Sequence, residues 1–151
     1  MESDRVPDII SELNQPFVDF IIVADRAEVV SGKLYLMGGG WDMLNVADLS
    51  KPIGLSFAIG VMVPWNATNQ EHSLHISITD DNGSPVDAVQ RVVTFNMGRP
   101  PHLSAGDSQR MIVAVPNEFI VFPTAGSYTI GATVDGGHGR ETVFRVHSTH
   151  P

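Results

Sequence analysis

Short runs of alternating apolar and polar residues, separated by turn-forming residues, constrain this chain more than any other feature. Gly54–Val63 sets Leu55, Phe57, Ile59, Val61 and Val63 on one face and Ser56, Ala58, Gly60 and Met62 on the other. A strand turns successive side chains to opposite faces, so the run reads as a strand with one face in a core. Its other face is small and weakly polar, and admits a cover of its own. His72–Thr79 repeats the pattern, with Leu74, Ile76 and Ile78 inward and His75, Ser77 and Thr79 outward. Tyr128, Ile130, Ala132 and Val134 alternate with Thr129, Gly131, Thr133 and Asp135. Glu141–His147 returns, with Val143, Phe144 and Val146 available to the core.

The residues between these runs are turn formers. Ser31-Gly32 joins two apolar segments, and Asn82-Gly83 follows an alternating one, which is a strong short-range hairpin signal. The expected partner after Asn82-Gly83 is Val86–Phe95, with Val89, Val93 and Phe95 inward. Phe17–Ala24 is apolar apart from Asp19 and reads as a strand buried on both faces. Gln109–Val115 and Phe119–Phe122 read as two further short strands. Roughly eight to ten strands with no long helix predict an all-β fold. The expected architecture is a two-sheet antiparallel β-sandwich, immunoglobulin-like or jelly-roll-like. One short N-terminal helix is allowed from Asp8, because Ile9, Ile10 and Leu13 share helical spacing after Pro7. The organisation is then a polar segment 1–16, a single domain 17–147 and a tail 148–151.

Composition limits the partners. Nine Lys and Arg against 17 Asp and Glu leave a net charge of −8, which disfavours nucleic acid and anionic membranes. With no cysteine, disulfides, thiolate zinc sites and cysteine nucleophiles are excluded. The first 16 residues lack the basic start and apolar stretch of a secretory signal, and no run of 18 residues is apolar. The expectation is a cytoplasmic protein with a protein partner or a second copy of itself, and without nucleic acid or membrane contacts.

Two blocks carry a resemblance. Ala24-Asp25-Arg26-Ala27-Glu28 with Gly32-Lys33-Leu34-Tyr35 and Gly38, and His72 with Ile76-Ser77-Ile78-Thr79-Asp80-Asp81-Asn82-Gly83, resemble a family of small uncharacterised bacterial proteins over residues 17–147. The resemblance implies no activity and carries no site residues. Phe122-Pro123 with Gly126-Ser127-Tyr128-Thr129-Ile130 and Val134-Asp135-Gly136 resembles the closing hairpin of immunoglobulin-like sandwiches, which bears on fold alone.

No catalytic constellation emerges. Asp80-Asp81-Asn82-Gly83 lacks the ligand spacing of a calcium loop and suits a turn. His72 and His75 lie three apart on a strand, so they face opposite ways and make no metal pair. Gly-x-Ser-x-Gly does not occur, and Gly136-Gly137-His138-Gly139 opens no helix. No metal, cofactor or catalytic residue is therefore expected, and the leading function is a non-enzymatic binding or structural module, able to self-associate. The alternatives are a hydrolase-type enzyme using the 96–108 loop near His102, Asp107 and Arg110, or a component of a phage or secretion assembly. The segment with most to explain is Gly38-Gly39-Gly40-Trp41-Asp42. Ordering three glycines costs backbone entropy, so a bend between sheets or a close approach by a ligand or subunit is expected there. Gly39, Gly40, Trp41, Trp65 and His102 are the candidate interaction residues.

Overall fold

The computed structural model describes residues 14–86, 90–137 and 139–149, the side chains of 116–118 excepted. Among the described residues there are nine strands: β1 (Phe17–Val30), β2 (Lys33–Gly39), β3 (Met43–Val46), β4 (Ile53–Pro64), β5 (Glu71–Thr79), β6 (Arg91–Asn96), β7 (Ser108–Ile120), β8 (Gly126–Val134) and β9 (Gly139–Ser148). They form a four-stranded sheet in the order β2-β1-β4-β7 and a five-stranded sheet in the order β3-β9-β8-β5-β6. This is the expected all-β, two-sheet architecture. The short helix expected from Asp8, Val89 of the expected Val86–Phe95 strand, and His138 lie outside the described residues.

The alternation determines the core. Leu55, Phe57, Ile59, Val61 and Val63 from β4 meet Leu74, Ile76 and Ile78 from β5 and Tyr128, Ile130, Ala132 and Val134 from β8 in one buried cluster. Burying each large side chain contributes about 1.5–3 kcal/mol, so this parity sets which face of every strand turns inward. Tyr128 is buried among Phe122 and Phe144, and its hydroxyl donates to Thr124 O at 2.6 Å. That bond fixes the loop entering β8 without leaving a buried hydroxyl unpaired.

β4 is buried on both faces, as its small second face allowed. Phe20 of β1 pairs in register with Gly60, and its ring occupies the space a side chain there would need. β1 and β7 approach one another across β4, although neither pairs with the other. Ser56, Ala58 and Gly60 are small enough to permit this curl. Asp19 sits at a β-bulge in β1, and its Oδ2 accepts from Arg110 Nε and Nη2 at 2.9 and 2.8 Å.

Several connections behave as the turn chemistry dictates. Ser31 and Gly32 turn β1 into β2 with φ of 51° and 74°. Asp80 Oδ1 accepts the N–H groups of Asn82 and Ser84, making the β5 turn a plain hairpin corner. Three expectations need correction. Gln109–Val115 and Phe119–Phe122 are not separate strands: β7 runs through Pro116 because its register shifts by a bulge opposite Leu55 and Phe57. Val143 points outward and is exposed, since its neighbours Phe144 and Arg140–Thr142 keep strict alternation against β8. The sheets are not purely antiparallel, because β3 runs parallel to β9.

Candidate interaction surfaces

The triple glycine is where the chain leaves one sheet for the other. β2 ends at Gly39 in the four-stranded sheet and β3 begins at Met43 in the five-stranded one. Gly38 and Gly40 take φ of 60° and 83°, a left-handed region that side chains disfavour. Gly38 also packs so closely on the Asp25 carboxylate that a Cβ would collide with it. Gly40 N donates to Val23 O at 2.8 Å, which ties the crossover back to β1. Trp41 then caps the core rim, edge-on to Phe144 at 5.9 Å between ring centroids. Its Nε1 is buried and has no hydrogen-bond partner among the described residues. Gly39 and Gly40 are exposed at this bend.

Trp65 and the 96–108 loop form a second unit at the end of β4. Trp65 opens a single 3-10 turn, Trp65–Ala67, and is half-buried. The Arg99 guanidinium lies 3.5 Å from the centre of its ring. Arg99 Nη2 donates to Trp65 O and Nε to Thr68 Oγ1, each at 2.8 Å. A stacked, doubly bonded guanidinium is a use of arginine that lysine cannot reproduce. Trp65 N donates to Asp107 O, Asn69 N to Met97 O and Gln109 Nε2 to Gly98 O, so both ends of the loop are held. His102 stands at an exposed turn of this loop. Asp107 Oδ2 accepts from Ser104 N, and Arg110 is held by Asp19, so the loop's ionisable groups are directed to different partners. Asp107 borders a hollow of only about 70 Å³ with Trp65 and Asn66.

Sequence reasoning passed over the neighbouring polar pair. His72 is 5% exposed and faces the core side of β5. Its Nδ1 lies 2.6 Å from Asp135 Oδ2, and its Nε2 lies 2.7 Å from Ala67 O. Both partners are acceptors; a neutral imidazole has one N–H to give and an imidazolium has two. Asp135, at φ 53°, also accepts from Ser73 N at 2.8 Å. The pair joins the β8–β9 turn, β5 and the Trp65 turn. Its signal was parity, since His72 precedes inward Leu74 and Ile76 by even steps. His75, three residues on, is exposed on the opposite face. Among the described residues no group of His, Asp or Glu is arranged to hold a metal ion.

The face of the four-stranded sheet turned away from the core carries large apolar side chains among charged ones. Register places Phe20 and Ile22 of β1 and Ile112 and Ala114 of β7 there beside Ala58 and Gly60. Tyr35 and Met37 of β2 lie opposite Glu28 and Arg26, and Phe119 of β7 lies opposite Gly54. Tyr35, Met37 and Phe119 are 55%, 67% and 77% exposed. Large exposed apolar side chains gathered on one face mark contact surfaces more often than scattered ones do.

A family of unknown function, DUF6941, matches residues 19–147, from the bulge of β1 to the end of β9. The chain belongs to DUF6941. No curated protein matches it. Among solved structures, a Pseudomonas fluorescens alkylpurine DNA glycosylase, AlkC, bound to DNA containing an abasic site analog, is similar at a TM-score of 0.40 and 10% identity. The match covers 85% of this DUF6941 chain and 30% of the glycosylase chain. At that level of similarity the glycosylase says nothing about what this chain does. No helix among the described residues is long and apolar enough to cross a membrane.

Proposed function

We propose that this chain is a non-enzymatic binding or structural module that pairs with a second copy of itself. The observation carrying this reading is the outer face of the four-stranded sheet, with Tyr35, Met37 and Phe119 exposed together. Two copies of a chain bearing −8 repel one another overall, so a contact face must be locally balanced. This face is: Asp19 is neutralised by Arg110, and Arg26 and Glu28 alternate along β1 beside Lys33 of β2. A two-fold contact sets a surface against itself, so a face that carries both Arg26 and Glu28 offers each charge an opposite one on the partner copy.

The non-enzymatic part is supported by the 96–108 loop, where Arg99, Asp107 and Arg110 are each engaged in holding structure and His102 stands apart. The bond from Tyr128 to Thr124 supports the immunoglobulin-like reading of the closing hairpin. A cytoplasmic location is part of the same proposal, resting on the acidic, cysteine-free composition.

Size exclusion with light scattering across a concentration series tests the pairing. The expected result is a dimer that dissociates in Met37→Glu without loss of the folded spectrum. A strict monomer at high concentration, or a dimer indifferent to Met37→Glu, overturns it.

A further inference from the structure

The outer face of the five-stranded sheet carries a hollow of about 480 Å³, separate from the sheet face described above. Its floor is Gly131 in the middle of β8, with Glu141 of β9 on one side and Ser77 of β5 on the other. In the next row Thr133 lies beside His75. Arg140 borders it from the sandwich edge, where its register opposite inward-facing Ala132 and a bond from its Nε to Val18 O at 3.1 Å hold the side chain.

Gly131 is what sets this hollow apart from an ordinary solvated sheet face. Glycine inside a strand is unfavourable, because it loses more backbone freedom and packs nothing. Two other strand glycines have a structural reason: a side chain at Gly60 would strike the Phe20 ring, and one at Gly139 would strike Ala132 O. Gly131 has neither constraint. A Cβ there would find Ser77 Oγ at 3.8 Å and Glu141 Cγ at 3.9 Å, ordinary contact distances, and its φ is not in the left-handed range. A side chain would fit; its one consequence would be to fill the hollow.

We infer that this hollow binds a neutral polyhydroxylated ligand, a mono- or disaccharide, lying on the bare backbone at Gly131. The lining fits that class. Glu141 accepts from hydroxyls, and Ser77, Thr133 and His75 accept or donate. An anionic ligand would meet Glu141 on a chain of net charge −8, and an apolar one would leave these polar groups desolvated without partners. The volume is within the range of small-molecule sites.

An amide-resolved NMR titration of the whole chain with glucose, galactose, N-acetylglucosamine, maltose and cellobiose tests this, with glycine and inorganic phosphate as comparison ligands. The expected result is saturable shifts centred on Ser77, Gly131 and Glu141 with at least one sugar. Gly131→Thr should abolish them while melting at or above the parent temperature, because threonine suits a strand and the space is open. Glu141→Gln, on the exposed rim, should weaken binding at least tenfold with the fold unchanged. Absence of shifts with every sugar overturns the inference. So do shifts confined to glycine or phosphate, or sugar shifts that survive Gly131→Thr. A Gly131→Thr chain that unfolds would show that the glycine serves packing, and overturns it too.

Discussion

The imidazole of His72 and the carboxylate of Asp135 meet at 2.6 Å from positions 63 residues apart, one at the start of β5 and the other just after β8. The same carboxylate holds Ser73 N, and the other ring nitrogen reaches Ala67 O. The pair is thus the polar counterpart of the apolar core at this end of the sandwich. Losing either partner of this half-buried pair costs a hydrogen bond, and losing Asp135 leaves the buried ring nitrogen of His72 unsatisfied, at about 1–3 kcal/mol. His72→Ala and Asp135→Asn should each lower the urea-unfolding free energy by about that amount. The double variant should fall short of their sum by at least about 0.5 kcal/mol, the lower limit for residues in contact. Full additivity would show that the two side chains do not act together.

Arg99 holds the 96–108 loop to the Trp65 turn by one stack and two hydrogen bonds. Arg99→Ala should cost about 1–2 kcal/mol of global stability, as expected for hydrogen bonds from a charged group that is partly exposed. Its larger effect should be local: faster proteolytic cleavage between Gly98 and Ser108 and a red-shifted Trp65 emission, read in a Trp41→Phe background. Arg99→Lys should restore neither, because an ammonium cannot stack and fork together.

Gly60 and Phe20 share one volume. Gly60→Ala should therefore destabilise by about 1–3 kcal/mol, the usual cost of overpacking. Phe20→Leu should recover part of that loss when combined with Gly60→Ala, although it is destabilising alone. Thermal denaturation of the four chains measures the sign reversal.

Trp41 buries an indole N–H that has no partner among the described residues. Trp41→Phe keeps the edge-on contact with Phe144 and removes the donor, so it should be neutral or stabilising by up to about 1 kcal/mol. Trp41→Ala should cost about 3 kcal/mol or more, because it leaves the core rim open. Equal losses for the two variants would mean that the N–H is satisfied in solution.

Much of the core was legible because its signal is local. Parity along Gly54–Val63, His72–Thr79 and Tyr128–Val134 assigns the inward residues of β4, β5 and β8 without reference to any partner strand. Ser31-Gly32 and Asp80–Gly83 form turns through their own backbone preferences and side-chain bonds. The glycines at 38–40 announced a break, and the chain does change sheets there. Gln109–Ile120 misled because Pro116 suggests an end, whereas an edge strand carrying a bulge tolerates it.

The amino-acid sequence alone thus determined that the chain is built of strands, which residues of the best-patterned strands face inward, and where the chain turns. Those properties depend on steric and hydrophobic rules acting between near neighbours. Tertiary structure alone decided that β3 joins β9 in parallel, that β4 is covered on its second face by curling, and that Trp65 meets Arg99. It also decided that His72 meets Asp135 and that Gly131 floors a hollow. Each of these joins residues far apart in the chain, and no local preference records which distant strand will supply the neighbour.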